Sequence, residues 1–467
     1  MSFVTTQPEA LIASAGNLQG IGSPAKYDIG IVGLGFVGLT LATVLAEAGN
    51  KVIGVETRPE LVELTNKGIP HFLETGLANA LAGVTKSGKL VATERFDDSF
   101  TCDAYIITVG TPLSAAGVAR VDMIEAAARD IAGNMLDDAL VILRSTVMIG
   151  TTRNIVSPIL ARSGKRFGIA MCPERTLEGK ALQELRELPQ IVGADDPAVT
   201  DRAAAIFRQL TNSIVLVSDL ETAEIVKLVG NTFRDVQFAF ANEVARLCDA
   251  FGVSAHEVIS SGKLGYSRTC VPLPGLVGGP CLEKDAHLMM QSARTRGIEL
   301  EISAAARFVN ERQPEETVRF ISREIEKRKL PSPLRINILG MAFKGVPETS
   351  DLRGSMSVNV LDALTKAHPD AEIGLYDPVI PREVLAAEFR DQRTFDRFGD
   401  AVSGTSVLVI ANNHPSLGTI SPRTISEFMI PGGFVFDYWN HFSHLPASEL
   451  GDSYFTVGKS GWVPPDE

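Results

Sequence analysis

A thiol, an ammonium and a carboxylate fall together at Cys281, Lys284 and Asp285, at the end of the run Gly275-Leu-Val-Gly-Gly-Pro-Cys-Leu-Glu-Lys-Asp. Leu282, Ala286, Leu288 and Met289 predict a helix whose first turn holds Cys281. There the unpaired N–H groups and the positive end of the helix dipole favour thiolate, and Lys284 adds charge of the same sign. Asp285, four residues on, is predicted to share the thiol's face. A thiol and a carboxylate held together suit covalent capture of a carbonyl followed by hydrolysis of the adduct. The alternative is packing, because free Cys is among the most buried residue types.

A second candidate is Leu220 to Phe251, which reads as one long helix with Ile225, Val229, Val236, Phe240 and Leu247 on one side. Lys227, Asn231 and Arg234 form a polar stripe at i, i+4 and i+7 that runs on into Phe238, Ala241 and Ala245. The helix is therefore apolar nearly all round and is predicted to be buried. A cleft wall that holds a substrate explains a lysine and an amide there: desolvation lowers a Lys pKa towards general acid or base work, and Asn orients a water or hydroxyl. A lysine that reaches out to solvent is the alternative.

A cofactor is indicated earlier in the chain. Ile29-Gly-Ile-Val is an apolar strand running into Gly33-Leu-Gly35-Phe36-Val37-Gly38 and a helix through Ala46; a second strand, Lys51 to Val55, ends at Glu56. These glycines allow a tight turn and close approach of a pyrophosphate to a helix N-terminus, and the acid suits both ribose hydroxyls. Glu56 favours NAD over NADP, whose 2′-phosphate would meet its charge. Further apolar runs follow at α/β spacing: 104–109, 140–143, 167–170, 191–193 and 214–217. This rhythm predicts a doubly wound sheet. Ligands sit beyond the carboxyl ends of such strands, where Thr111, Thr146, Glu174 and Arg175 fall. Thr146 as a helix cap, and Glu174 paired with Arg175 on the surface, are the structural alternatives.

After a helical, charged segment to about Lys329 and a Pro-Ser-Pro linker at 331–333, a second α/β block begins with the strand Arg335 to Leu339. Apolar runs at 373–376, 407–410 and 434–436 continue it, like a weak repeat of the first block without its GxGxxG. It is expected to bind a different ligand, with Lys344 and Arg353 offering charge to phosphates or, alternatively, forming surface ion pairs.

A chain of 467 residues suggests roughly two or three domains. Its formal charge of −12 argues against a nucleic-acid groove or an anionic membrane as partner and leaves an anionic small molecule open. Five scattered cysteines without a CxxC pair predict neither a disulfide framework nor a metal site and fit a reducing cytoplasm; Cys172, beside Glu174, is read as packing. Ile29 to Ala46 is long and apolar enough to raise the question of a membrane span, but its glycines divide it into strand, turn and helix. Residues 1–26 read as a loose extension and 451–467 carry little signal.

The order of motifs resembles the nucleotide-sugar 6-dehydrogenases, among them the UDP-glucose, GDP-mannose and UDP-N-acetylhexosamine enzymes. The matching residues are GxGxxG, Ser-Thr-Val before Gly-Thr-Thr, Pro-Glu-Arg, Lys227-Leu-x-x-Asn231-Thr-Phe-Arg-Asp-Val, Gly-Gly-x-Cys281-x-x-Lys-Asp and Ala-Phe-Lys344 followed by Asp-Leu-Arg353, spread over about residues 27–438. The resemblance implies two Rossmann-like domains joined by a long helix that also builds a homodimer or higher homo-oligomer: an NAD-binding domain at 27–218, a central helical part carrying catalytic residues at 219–330, and a UDP-sugar-binding domain at 331–467. It implies an NAD-dependent, two-step oxidation of a sugar C6 hydroxymethyl to a carboxylate for surface polysaccharide precursors. Cys281 would form the thiohemiacetal and thioester. Lys227 and Asn231 would serve the C6 oxygen, Asp285 would work with Thr146 through a water, and Glu174 would activate the hydrolytic water. NAD would meet Gly33, Gly35, Phe36, Val37, Gly38, Glu56, Arg58, Thr111, Thr146 and Lys284; the sugar nucleotide would meet Glu174, Arg175, Lys227, Asn231, Arg234, Gly278, Lys344 and Arg353. The form Asn231-Thr-Phe-Arg-Asp-Val points to a UDP-N-acetylmannosamine or UDP-N-acetylglucosamine, with UDP-glucose or GDP-mannose as alternatives. A hydroxyacid-type dehydrogenase and a non-catalytic nucleotide-sugar-binding protein are the competing readings.

Overall fold

The computed structural model describes residues 25–459 apart from 98 and 115. Eight strands form the first sheet: β1 (Ala25–Val32), β2 (Val52–Val55), β3 (Leu90–Thr93), β4 (Phe100–Ile107), β5 (Ala139–Leu143), β6 (Phe167–Met171), β7 (Gln190–Gly193) and β8 (Ile214–Val217). Their order is β3-β2-β1-β4-β5-β6-β7-β8, the doubly wound pattern in which the chain reverses direction across the sheet beside β1. The first six are parallel, and β7 meets β6 antiparallel before pairing parallel with β8. The strands predicted from apolar runs are present; β3 is an addition that sequence reading did not single out.

β1 starts earlier than expected. Ala25 and Lys26 pair with Phe100 and Thr101, so they belong to the sheet and not to a loose extension; the rest of that stretch lies outside the described residues.

The helix Leu220–Phe251 leaves β8 at the carboxyl end of the sheet, capped by Asp219, whose side chain accepts from the Thr222 N–H, and closed by Gly252 in the left-handed conformation. At 1.5 Å per residue it spans about 48 Å. Its burial departs from the predicted all-round coverage. Leu228, Asp235, Ala239 and Asn242 are buried, while Ile225, Val229, Phe233, Phe240 and Leu247 are exposed. The buried face packs on Glu301–Glu311 and Asp285–Arg294; the opposite face is left largely exposed.

The second sheet comprises β9 (Arg335–Leu339), β10 (Glu372–Tyr376), β11 (Arg393–Thr394), β12 (Val407–Ile410), β13 (Phe434–Asp437) and β14 (Tyr454–Thr456), ordered β11-β10-β9-β12-β13-β14 and parallel throughout. The short edge strands β11 and β14 were not expected. Each sheet is covered on both faces by its own apolar core, which fits the near-continuous apolar strands.

Candidate active site

The GxGxxG turn has the geometry its glycines require. Gly33 adopts φ +93°, and a Cβ on Gly38 would lie 1.8 Å from the Gly33 carbonyl oxygen, so the helix Phe36–Glu47 sits against the turn in a way only glycine permits. A Cβ on Gly35 would meet nothing within 4 Å. That open face, at a helix N-terminus, fits a pyrophosphate. Glu56, at the end of β2, is buried and accepts from the Leu34 N–H at 3.2 Å and from Arg58 Nε at 2.9 Å. Burial pushes its carboxyl up, but Arg58 and these N–H groups outweigh that and hold it below the usual value. Its charge is partnered by the half-exposed Arg58 side chain at the edge of the glycine turn.

A cavity of about 450 Å³ opens beside this turn, between the carboxyl ends of the first sheet, the long helix and the loops of the second sheet. It brings together residues far apart in sequence. Gly35, Phe36, Val37, Thr111 and Thr146 line its cofactor side; Glu174, Arg175, Lys227, Asn231 and Arg234 line the middle; Gly278, Cys281, Lys284, Lys344 and Arg353 close it. Gly33, Gly38, Glu56, Arg58 and Asp285 support it from outside its lining.

The local structure around the thiol differs from expectation. Cys281 does not share a helix with Asp285. It lies in a four-residue turn, Gly279–Leu282, with Pro280 at its start, and a separate helix, Asp285–Arg294, begins after Lys284. The proline needs no N–H partner at a first turn, but the backbone bends at Lys284 (φ −113°) and interrupts the helix. So short a turn has little dipole. The positive charges facing Cys281 include Lys344 and Arg353, both of which interact with it electrostatically. The thiol is exposed, and Asp285 is buried behind it.

Asp285 anchors a chain of hydrogen bonds. Asn231 Nδ2 donates to one of its oxygens at 2.6 Å and Lys284 Nζ to the other at 2.8 Å; Lys284 also donates to Thr111 Oγ1 at 3.3 Å, and Thr111 donates to the Thr146 carbonyl at 2.5 Å. The long helix, the Cys281 segment and two strand ends are thus joined through one carboxylate. Lys227, one turn before Asn231, makes no hydrogen bond or ion pair among the described residues. It is half-buried, less enclosed than predicted, because the helix wall it stands on opens into the cavity.

Glu174 has a partner that sequence reading missed. Arg144, fully buried at the end of β5, donates from Nε and Nη2 to Glu174 Oε2 at 2.9 and 2.6 Å, while the N–H groups of Arg175 and Thr176 donate to Oε1 at 2.6 and 2.8 Å. Arg175 itself is exposed, so the expected surface alternative does not form. Burial raises the Glu174 carboxyl, but Arg144 and the two N–H groups outweigh it and hold it below its usual value. A carboxylate with both oxygens engaged and its proton affinity lowered is a weaker general base than a free one. The signal for Arg144 was an arginine ending an otherwise apolar strand. Cys172 is buried, with its thiol pushed up to about 12 by burial, as packing requires.

From the second sheet, Lys344 Nζ donates to the Glu178 carbonyl at 2.6 Å, and Arg353 pairs with Asp351, with Nε–Oδ1 at 2.9 Å. A Cβ on Gly278 would lie 2.4 Å from the Gly354 carbonyl oxygen, so the Cys281 loop fits closely against this side. Glu178 and Trp439, both in the lining, were also missed; Glu178 stands four residues after Glu174 in the same Pro-Glu-Arg segment.

Comparison with known proteins decides the family. Residues 27–211 match the NAD binding domain, 221–312 the central domain and 337–444 the UDP binding domain of the UDP-glucose/GDP-mannose dehydrogenase family. The UDP-N-acetyl-D-mannosamine dehydrogenase of Pyrococcus horikoshii is 32% identical over 86% of this chain and 93% of its own. The chain belongs to the UDP-glucose/GDP-mannose dehydrogenase family. It is an NAD-dependent nucleotide-sugar dehydrogenase. A UDP-N-acetyl-D-mannosamine dehydrogenase of Yersinia pestis is 30% identical over 85% of the chain and 96% of its own length. Among solved structures, UDP-D-ManNAc dehydrogenase of Pyrococcus horikoshii superposes with TM-score 0.83 at 30% identity, over 93% of this chain and all of the other. A UDP-glucose dehydrogenase of Pyrobaculum islandicum gives 0.80 at 27%, over 95% and all of the respective chains. The turn and acid of the first sheet fit the cofactor. No described helix is long and apolar enough to cross a membrane.

Proposed function

We propose that the chain oxidises the C6 hydroxymethyl of a UDP-N-acetylhexosamine, UDP-N-acetylmannosamine foremost, to the carboxylate of the uronic acid, as a precursor for surface polysaccharide. The supporting observation is that an exposed Cys281 shares one cavity with an unpaired Lys227 and with Asn231, which is fixed on Asp285. The preference for an N-acetylated sugar rests on the relatives named UDP-N-acetyl-D-mannosamine dehydrogenase.

NAD, when bound beside Gly35, takes up hydride in each of two oxidations. Lys227 receives the proton of the C6 hydroxyl, and Asn231 holds that oxygen. The Cys281 sulfur then adds to the C6 aldehyde carbon, forming a C–S bond, and the former carbonyl oxygen takes a proton. Loss of hydride and of the hydroxyl proton, the latter by way of Lys227, from the resulting thiohemiacetal leaves a thioester. Water attacks that carbon, the C–S bond breaks, and the thiol and carboxylate are released. Asp285 and Thr146 place the water, while the fixed charge of Glu174 orders the groups around it. Lys344, Arg353, Arg234 and Arg175 supply positive charge to the diphosphate, and Gly278 lets the loop approach the sugar nucleotide. Residues 27–218, 219–330 and 331–467 divide these tasks as cofactor, catalytic and UDP-sugar parts. The exposed apolar face of the long helix is the interface of a homodimer, and the free thiols suit the cytoplasm.

The test is NADH yield with limiting UDP-N-acetylmannosamine, UDP-N-acetylglucosamine, UDP-glucose and GDP-mannose in separate reactions. Two NADH per UDP-N-acetylmannosamine, abolished in Cys281→Ser, is expected. One NADH per sugar, or activity surviving Cys281→Ser, would remove the thioester route.

A further inference from the structure

The 275–282 loop carries the thiol but has little rigidity of its own: it contains Gly275, Gly278 and Gly279 and only one helical turn. Its two ends are nevertheless held by one buried polar chain. At the start, Asn242 on the long helix clamps Gly275 from both sides, accepting from its N–H at 3.0 Å and donating to its carbonyl at 3.1 Å. Asn242 Nδ2 also donates to Asn310 Oδ1 at 3.0 Å. Asn310 Nδ2 donates to the Asp235 carbonyl at 3.0 Å and to its Oδ1 at 2.9 Å. The same Oδ1 accepts from Arg307 Nη1 at 2.7 Å, and this nitrogen also donates to the Leu282 carbonyl at 2.8 Å, next to Cys281. Asn242, Asn310 and Asp235 are fully buried and Arg307 nearly so.

We propose that Asn242, Asn310, Asp235 and Arg307 are positioning residues for Cys281, which tie both ends of its loop to the long helix that carries Lys227 and Asn231.

None of the four lines the cavity, so they do not touch substrate. Four polar residues in a helix–helix seam are a costly way to gain stability where apolar side chains would pack as well. What they add is a fixed relation between two pieces of chain. Lys227 and Asn231 are set by the helix backbone, whereas the Cys281 loop is also held from the second sheet, where the Gly279 N–H donates to the Gly354 carbonyl at 2.6 Å, and the polar chain is what fixes it to the helix. Covalent addition needs the sulfur within reach of the carbon that Asn231 and Lys227 hold, and a misplacement of about 1 Å can cost on the order of 100-fold in rate.

This inference rests on the role given to Cys281, and its test separates the two. Arg307→Lys keeps a cation for Asp235 but loses the Nε donor to Glu311 Oε1, at 3.2 Å, that helps fix the guanidinium plane; Arg307→Met removes the bonds to Asp235 and Leu282 as well, and Asn242→Asp loses the donor to Gly275 and Asn310. For each folded variant, kcat, KM for sugar and NAD, NAD affinity and the rate of Cys281 alkylation by iodoacetamide are measured beside the unaltered chain. The expected result is a kcat lowered at least about 10-fold with NAD affinity within about twofold, and an alkylation rate changed at least about threefold as the sulfur leaves its held position, with Arg307→Lys nearer the unaltered chain than Arg307→Met. Unchanged kcat and alkylation in folded Arg307→Lys and Asn242→Asp overturn the proposal. So does a loss of kcat accompanied by an equal loss of NAD affinity, which marks general destabilisation. If the unaltered chain makes no NADH from any sugar, the functional reading fails, and alkylation alone still decides whether the polar chain positions the thiol.

Discussion

The two sheets repeat one device and use it for opposite ends. In each, the first strand ends in a glycine of positive φ, Gly33 at +93° and Gly340 at +89°, and the neighbouring strand ends in a buried acid, Glu56 and Asp377. Each acid accepts backbone N–H groups from its glycine turn. Glu56 accepts two backbone N–H groups, that of Leu34 in the turn at 3.2 Å and that of Arg58 at 3.3 Å, and its other two donors, at 2.9 and 3.2 Å, come from the half-exposed Arg58 side chain. Asp377 accepts four, from Met341, Ala342, Val379 and Ile380, at 2.7 to 3.0 Å. All four donors are backbone and cannot swing aside for a ribose, whereas the Arg58 side chain on Glu56 can. The helices differ too: in the first sheet one begins at Phe36, directly after the turn, whereas in the second it begins at Met356, capped by Ser355. The intervening loop carries Lys344 and Arg353 into the cavity. The same turn and acid therefore form a cofactor cradle where the helix starts at once, and a structural staple where a loop intervenes.

The sharpest way to break this contrast is Gly38→Ala. A Cβ placed 1.8 Å from the Gly33 carbonyl must drive the helix off the turn, so NAD affinity should fall at least about 100-fold while UDP affinity changes less than about twofold, both by calorimetry. Retained NAD affinity would mean the first turn is not the cradle. A smaller effect separates the two acids. Glu56→Gln should weaken NAD by about 10-fold and narrow the preference over NADP, because the charge that repels a 2′-phosphate is gone. Asp377→Asn should leave NAD binding intact and lower stability by roughly 1–3 kcal/mol in chemical denaturation, because it removes charge-assisted bonds to buried backbone. If both variants behaved alike, the division between cradle and staple would collapse.

What was legible beforehand follows the same division. The cofactor turn could be read because glycine spacing encodes backbone geometry directly, and Cys281, Lys227, Asn231 and Asp285 could be gathered because their motifs occur in order. Arg144, Asp235 and Arg307 could not, since each becomes meaningful only through a partner 30 or 72 residues away that the fold brings to it. The apolar stripe on the long helix was visible, but periodicity does not say whether a side is covered, and Phe233, Phe240 and Leu247 are exposed. The helix predicted through Cys281 failed at Lys284, where local propensity could not reveal the bend.

The smallest expected effect concerns the contact between the two sheets' loops. Glu178, from the first, accepts from Thr349 Oγ1 of the second, while its carbonyl holds Lys344 Nζ. Burial first, then the charge of Asp351, pushes its carboxyl up to about 7; Thr349, Lys344 and Arg353 oppose this. Between its ordinary value of 4.5 and about 7 the folded chain keeps a proton that the unfolded chain has lost. This contact is therefore strongest at low pH within that window and weakens as pH rises through about 7. From about pH 6 to pH 8 this group should lower Tm by about 2–4 °C, and Glu178→Gln, which cannot ionise, should lack that part of the slope. Equal slopes in the two proteins would show that Glu178 titrates alike in both states. The loop of the second sheet would then close the cleft through Lys344 and its glycine contacts, without help from the carboxyl.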